Sequence, residues 1–341
     1  MGEPGDDARV GSVPSASRAA VRVLTVLARI GAALALAAVL VPVAARLTGW
    51  EAGPLAILVS LMPWVTLLAF VPVVLALVGR AWVLLAAAVA VAGLCVAWMA
   101  PLFVASPTVG EPVLRVGQLS LANGSADADA VVALVRDSDL DMLSVTELTP
   151  SIHPALAAAG LDDLLPYSAA YPDDFKYGTG LWSRYPITSA ETLPGLSATT
   201  VRAEVDTPVG ALTVVVAHPE SPGFRDHELW DQDLVALTGL LERETGPMLL
   251  MGDLNTTRDH RAFRDLEGMG FVDAADEAGA GFQATYPEWP GMYGSTSRLD
   301  LPLVAIDHVL ARDLGLRASA LATVIVPRTD HRGVLVEYAR P

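Results

Sequence analysis

The sequence has one cysteine, Cys95, in 341 residues. That excludes an intrachain disulfide framework and a cysteine-rich zinc site. Positive charge is also scarce, with 22 Lys and Arg against 38 Asp and Glu and a net charge of -16. A protein that grips nucleic acid through a broad basic surface needs more, because phosphate neutralisation requires Lys and Arg. A nuclease whose metal ions supply the positive charge stays open. The shortage of charge overall, 18%, comes with 52% hydrophobic residues and a mean hydropathy of +0.45. Such a chain is not largely disordered, and it is too apolar for an ordinary soluble enzyme.

These averages join two unlike parts. Residues 1–110 carry six arginines and four acids, leaving 16 of the 22 basic and 34 of the 38 acidic residues for 111–341. Charge therefore separates an apolar N-terminal part from an acidic C-terminal domain. Residues 1–22, rich in Gly, Ser, Ala, Pro and Asp, predict a disordered tail. Three apolar stretches follow, Val23–Leu47, Ala52–Gly79 and Ala81–Gly110, and predict three transmembrane helices over 23–104. Each exceeds the roughly 20 residues a spanning helix needs. Arg29 lies within snorkelling reach of an interface. Pro63 and Pro72 predict kinks in the second helix, and Trp50, Trp64, Trp82 and Trp98 fall near the expected interfaces. A cleaved signal would account for one such segment but not three in series. With the N-terminus inside, Arg9, Arg18, Arg22 and Arg80 are cytoplasmic and only Arg46 lies in the outer loop, as the positive-inside rule prefers. The predicted protein is a multi-pass cell-membrane protein in contact with the lipid bilayer, its C-terminal domain extracytoplasmic. No acid falls inside a span, so an ion pathway is not expected.

The Pro-rich segment leaving the third helix, with 105–112 at its centre, reads as a linker. Beyond it, 113–341 alternates apolar strands with helices. Strands are expected at Val113–Leu121, Met142–Leu148, Gly180–Ser183, Ala198–Val205, Ala211–Ala217, Met248–Met251, Ile306–Ala311, Ala320–Val326 and Val334–Tyr338. Helices are expected at Asp127–Val135, on the face Leu229, Leu234, Leu237 and Leu241, and at Ala262–Met269. This pattern gives an α/β domain with sheets covered by helices.

Chemistry on such a scaffold belongs at strand ends, and the polar residues gather there. Glu147 closes Met142–Leu148, His218 follows Ala217, and Gly252-Asp-Leu-Asn255 follows Met251. Asp307 and His308 sit beside Ile306, and Asp330-His331 comes after Arg328. Glu147 and Asp330 offer the hard oxygens a divalent cation prefers. His218, His331 and Asn255 can donate to a phosphoryl group. Asp253 suits a base for a water nucleophile, and Asp307 can fix a histidine tautomer. Each residue alone has a plain structural reading; their order and number point to metal-assisted phosphoester hydrolysis. Asp162, Asp163, Asp173 and Asp174 read as solvated charge, His153 and His227 as surface residues, and His260 as a secondary candidate.

Across 113–341 the series resembles the endonuclease/exonuclease/phosphatase superfamily. Thr146-Glu147 resembles the strand ending in a metal-binding Glu, and Gly178-Thr-Gly-Leu-Trp-Ser-Arg-Tyr-Pro186 the segment G-x-x-(aliphatic)-x-S-(R/K)-x-P. Ala217-His218-Pro219, Gly252-Asp-Leu-Asn255, Ile306-Asp-His308 and Thr329-Asp-His331 follow in the family's order. The resemblance implies a four-layer α/β/β/α sandwich (DNase I-like), here preceded by three transmembrane helices, and dependence on Mg²⁺, with Mn²⁺ as a substitute. It implies metal ligation by Glu147 with Asp330, phosphate contacts from His218, Asn255 and His331, and support of His331 by Asp307. Where the family's first strand ends in a metal-site Asn, this chain has Ser120. Asn123 and Gln118 are alternative oxygen donors nearby.

The expected function is a membrane-anchored, metal-dependent phosphoesterase acting on nucleic acid, a phospholipid head group or a small phosphoester, with no protein partner predicted. The alternative, motivated by Ser120, is a catalytically weak domain serving as a surface binding module. Substrate choice is expected to rest on loops such as Asp173–Gly178, Gly279–Thr285 and Trp289–Arg298, and on the run Tyr286–Gly294.

Overall fold

The computed structural model describes residues 15–223, 227–288 and 301–341. Trp289–Arg298 therefore lies wholly outside the described residues, as does all of Tyr286–Gly294 beyond Glu288. The chain forms two compact units: one contains the chain to Val41 and Trp64–Val96, the other Pro42–Pro63 and Ala97–Pro341.

In the apolar part, α1 spans Ser15–Thr48. It begins inside the tail expected to be irregular through Arg22, because Ser15–Arg22 is rich in Ala and Arg, both good helix formers. The second apolar stretch is not one kinked helix. It divides into α2 (Pro54–Ser60), α3 (Met62–Leu68) and α4 (Phe70–Val78), with a 72° bend after α2. The interruptions fall at Leu61 and Ala69, just before Pro63 and Pro72. A helix-interior proline removes one N–H and crowds the carbonyl a turn earlier, so the break precedes it. Helix α5 covers Trp82–Met99, and a short 3-10 turn continues to Phe103. The third stretch therefore stops being helical well before Gly110. By length and composition two helices can cross a membrane, or three if the bent segment counts as one span. Arg29 does not simply snorkel. Its Nε donates to the Gly79 carbonyl at 2.7 Å, satisfying the C-terminal end of α4.

The acidic domain contains two six-stranded sheets. One has the order β11-β12-β1-β2-β4-β3 and the other β5-β6-β7-β8-β10-β9. The strands of the first are β1 Val109–Ser120, β2 Met142–Thr146, β3 Tyr167–Tyr171, β4 Thr179–Ser183, β11 Arg317–Ile325 and β12 Arg332–Arg340. Those of the second are β5 Ile187–Leu193, β6 Thr200–Thr207, β7 Gly210–Val216, β8 Met248–Asp253, β9 Val272–Asp273 and β10 Asp307–Arg312. Strand β1 starts within the expected linker.

Side-chain alternation assigns the two faces of each sheet. Leu114, Val116 and Met142 of the first sheet meet Val214, Val216, Leu249, Met251 and Val309 of the second in one core between the sheets. The opposite face of the first sheet presents Leu119, Leu143, Val145 and Trp182 to helices α6 (Ala128–Asp137), α7 (Ile152–Ala158) and α8 (Leu161–Leu164), through Val131, Val135, Leu156 and Leu161. The opposite face of the second presents Val215, Leu250 and Leu310 to helices α9 (Glu228–Leu241) and α10 (Arg261–Gly268). The result is the expected α/β/β/α sandwich. Each fully buried Leu or Val side chain contributes roughly 1.5–3 kcal/mol relative to exposure.

Two local expectations change. The buried face of α9 is Trp230, Leu234, Leu237 and Leu241, while Leu229 is exposed. Asp162 is more than solvated charge, since it accepts the Trp182 indole N–H at 3.1 Å. The Gly178–Pro186 segment is structural. A Cβ on Gly178 would overlap the Leu148 carbonyl oxygen, Ser183 Oγ accepts the Tyr185 N–H, and Arg184 pairs with Asp139.

Candidate active site

The same alternation that buries Val116, Val216, Met251 and Val309 between the sheets continues to one end of the sandwich. There it delivers polar residues into the same plane. On β1 these are Gln118 and Ser120, on β2 Thr146, and on β8 and β10 Asp253 and Asp307. Asp253 and Asp307 are direct partners in the antiparallel β8–β10 ladder, so their side chains share one face. His218 lies two residues beyond Val216, and His331 immediately precedes β12.

Asp253 is the hub. Its Oδ2 lies 3.6 Å from His218 Nε2 and 3.6 Å from His331 Nε2. Asp307 Oδ2 is 2.8 Å from His331 Nδ1. All four groups are buried. Burial raises the Asp253 carboxyl well above the ordinary carboxylate range; His331 pulls it down, while Asp307 and Glu147 add to the rise. For His331, burial lowers the imidazole but Asp307 and Asp253 outweigh it, so the ring holds its proton more tightly than usual. Tyr286 packs against that ring at 4.8 Å between centroids, tilted by 43°. Thr285 Oγ1 accepts the Ile306 N–H and, at longer range, that of Asp307.

His218 behaves differently. Its Nδ1 is 3.0 Å from the Lys176 carbonyl. A carbonyl only accepts, so Nδ1 carries the hydrogen and Nε2 faces Asp253 as an acceptor. Burial pushes this imidazole down to about 4. In this tautomer His218 presents to the site the lone pair of Nε2 rather than a hydrogen.

Glu147 follows β2 with φ 58°, and its carboxylate accepts the Asn123 N–H. Burial raises its pKa and the nearby Asp330 charge adds to the rise, while His331 and Lys176 oppose it. Asn255, with φ 46°, donates from its amide to the Pro219 carbonyl at 3.0 Å, and its backbone N–H donates to Asp253 Oδ1 at 3.1 Å. The Asp330 carbonyl accepts the Glu288 N–H. Among the described residues, the Gln118 amide, the Ser120 and Thr146 hydroxyls and Asp307 Oδ1 are buried with no hydrogen-bond partner.

One group of His and acidic side chains could jointly hold a metal ion among the described residues: Asp253, Asp307 and His331. It differs from the expected set Glu147, Asp330 and Ser120. Its His331–Asp307 contact already uses one ligand atom of each. The oxygen-rich donors of Glu147, Asp330, Ser120 and Gln118 suit a hard divalent cation better.

Reasoning from sequence missed several supports. Lys176, the chain's single lysine, fixes His218 through its carbonyl and pairs with Glu220. Arg332 pairs with Glu288 at 2.6 Å. Thr285 and Tyr286 brace the His331–Asp307 pair. None carried a strand-end signal, and only the turn-rich context around them hinted at a role. His260 and His308 are structural: His308 Nε2 donates to the Thr256 carbonyl at 3.0 Å, and His260 is buried against Trp230.

A two-sheet sandwich with carboxylates and histidines converging at one end defines a DNase I-like hydrolase fold. The Endonuclease/Exonuclease/phosphatase family profile matches residues 114–331, and the chain belongs to that family. Its members hydrolyse phosphoesters. No curated protein matches the chain. Among solved structures, D. rerio TDP2 complexed with a single-strand DNA product is similar at TM-score 0.54 and 14% identity, over 66% of this chain and 98% of that one. An endonuclease/exonuclease/phosphatase from Bacteroides vulgatus is similar at TM-score 0.52 and 13% identity, over 67% and 99%. Another from Beutenbergia cavernae DSM 12333 is similar at TM-score 0.51 and 18% identity, over 67% and 71%.

Proposed function

We propose that this chain is a membrane-anchored, divalent-metal-dependent phosphoesterase whose catalytic domain lies outside the cytoplasm. The observation that carries the chemistry is Asp253, buried between His218 and His331, with His331 held by Asp307. Its raised pKa suits Asp253 to take a proton from water near neutral pH. Asp307 anchors Nδ1 of His331, leaving Nε2–H free to donate to a phosphoryl oxygen as negative charge builds there. His218 stays neutral and orders the loop through Lys176. Asn255, tethered to Pro219 and Asp253, supplies an amide to the same region. Glu147 and Asp330, with Ser120 or Gln118, would hold a cation such as Mg²⁺, which when bound would offset phosphate charge. The raised pKa of Glu147 and the unpartnered polar groups of Ser120 and Gln118 support that role.

Two contacts support three membrane crossings. Arg29 of α1 bonds Gly79 at the end of α4, and Arg46 near the end of α1 stacks over the Trp98 ring at 3.9 Å. Each contact, taken by itself, brings the end of a later apolar segment back to α1, which supports repeated crossing. Arg46 also pairs with Asp259 at 2.6 Å, which offsets the one arginine expected in the outer loop between the first two spans. Anchoring favours a lipid or surface substrate, and the acidic balance of the domain disfavours long nucleic acids.

The test is hydrolysis of bis-(p-nitrophenyl) phosphate by the full chain in detergent, with Mg²⁺ and with EDTA. EDTA-sensitive turnover that is lost in His331→Ala is expected. Turnover unaffected by EDTA or by His331→Ala would place the chemistry elsewhere.

A further inference from the structure

The loop that leaves Asp253 carries Asn255 and then enters helix α10 at Arg261. Four consecutive residues at its far end are each bonded to a group that precedes the family-matched region. Arg258 donates to the Trp98 carbonyl. Asp259 pairs with Arg46 at 2.6 Å, both side chains nearly buried. His260 Nε2 donates to the Ala56 carbonyl at 2.9 Å. The Arg261 N–H donates to the Glu51 carboxylate at 2.9 Å, which caps the N-terminus of α10. Arg264 closes the ring by donating to the Arg46 carbonyl at 2.8 Å.

A second route reaches the same loop. Ala56 packs with Trp230 and Leu234 of α9, and the Trp230 indole N–H donates to the Asn255 carbonyl at 2.9 Å. Asn255 has a left-handed backbone, a conformation that non-glycine residues hold only when their surroundings enforce it. The outer hairpin Pro42–Pro63 belongs to the same compact unit as the sandwich, so these contacts are internal to one body.

We infer that the hairpin Pro42–Pro63 is a positioning element for the site: through Arg46, Glu51 and Ala56 it clamps Arg258–Arg261 and so fixes the Asp253–Asn255 loop. This rests on the reading of that loop as catalytic. It also means that the sandwich cut free of residues 1–110 lacks part of its own active-site support.

The experiment uses the full chain in detergent and the variants Arg46→Ala/Asp259→Ala and Glu51→Ala. Removing both partners of the buried pair avoids leaving a lone buried charge, which would unfold the chain for an unrelated reason. Arg46→Lys keeps the charge and serves as the rescue. Hydrogen exchange of Leu254–Thr257 is read beside kcat and KM for the diester. Local exchange about tenfold faster, outside any global loss of fold, is expected in both clamp variants. Also expected are a kcat about tenfold lower at nearly unchanged KM, as a misplaced catalytic group gives, and partial recovery in Arg46→Lys. Wild-type exchange and kcat in the clamp variants would overturn the inference and reduce the hairpin to a tether. If the parent chain shows no hydrolysis, exchange alone decides: faster exchange upholds the clamp while the phosphoesterase reading falls, and unchanged exchange overturns the clamp.

Discussion

At the scale of single residues, the site spends stability on function. Asp253 is buried and its pKa is raised, chiefly by loss of solvation. The folded chain therefore binds that proton more tightly than the unfolded chain does, and stability falls as pH rises above the ordinary value of 3.8. Asp253→Asn removes the buried charge and keeps an oxygen for the Asn255 N–H. It is expected to raise the melting temperature in EDTA, more at pH 8 than at pH 5, while abolishing hydrolysis; thermal melts at the two pH values check the sign. A lower melting temperature at pH 8 would mean that the pairing with His331 outweighs the desolvation. Glu147 makes a separate prediction. Its carboxylate sits near Asp330 with raised pKa, so Mg²⁺ is expected to stabilise the parent chain and to lose most of that effect in Glu147→Gln. Equal Mg²⁺ shifts in both would remove Glu147 from the ligand set.

At the scale of elements, close approach at the end of β8 decides what Gly252 can be. Its φ is 151°, and a Cβ there would overlap the carbonyl oxygen of Ala217, the residue that follows the parallel neighbour β7. Gly252→Ala is expected to cost about 2–4 kcal/mol by chemical denaturation; a loss under 1 kcal/mol would show that β7 and β8 can separate cheaply. The glycine was legible in the sequence as part of Gly252-Asp-Leu-Asn255, and the central strands were legible as apolar runs because both their faces are buried. Of the edge strands, β11 was legible at Ala320–Val326, but β3, β5 and β9 were not. Tyr167–Tyr171 carries two alanines and a serine, and Ile187–Leu193 is mostly exposed, so neither shows a strong period. Helix α9 was found but rotated: Trp230, not Leu229, is the buried residue, since an indole with a bonding partner at Asn255 competes better for the interior than an adjacent leucine. The tautomer of His218 was hidden for another reason. It depends on a backbone carbonyl 42 residues away in sequence, and no local pattern records such a contact.

At the scale of the whole molecule, part of the apolar half belongs to the same compact unit as the acidic sandwich. Arg46, Glu51 and Trp98 lie in the apolar half by composition, yet they bond residues of the sandwich. In the proposed arrangement of three crossings with Arg18, Arg22 and Arg80 on the inner side, protease added to intact cells is expected to degrade an epitope at the C-terminus and spare one at the N-terminus. The reverse pattern would contradict that orientation without touching the site chemistry.

The central claim is that the convergence of Asp253, His331 and Asp307 at the end of the sandwich hydrolyses phosphoesters with a divalent cation. It is tested most directly by assaying the purified full chain and its Asp253→Asn variant on bis-(p-nitrophenyl) phosphate and mono-p-nitrophenyl phosphate, with Mg²⁺, Mn²⁺ and EDTA in parallel. Turnover of at least one ester that EDTA stops and Asp253→Asn abolishes is the predicted result. Turnover that survives either treatment, or a folded chain that binds Mg²⁺ and cleaves neither ester nor any nucleic-acid or phospholipid substrate, would contradict it.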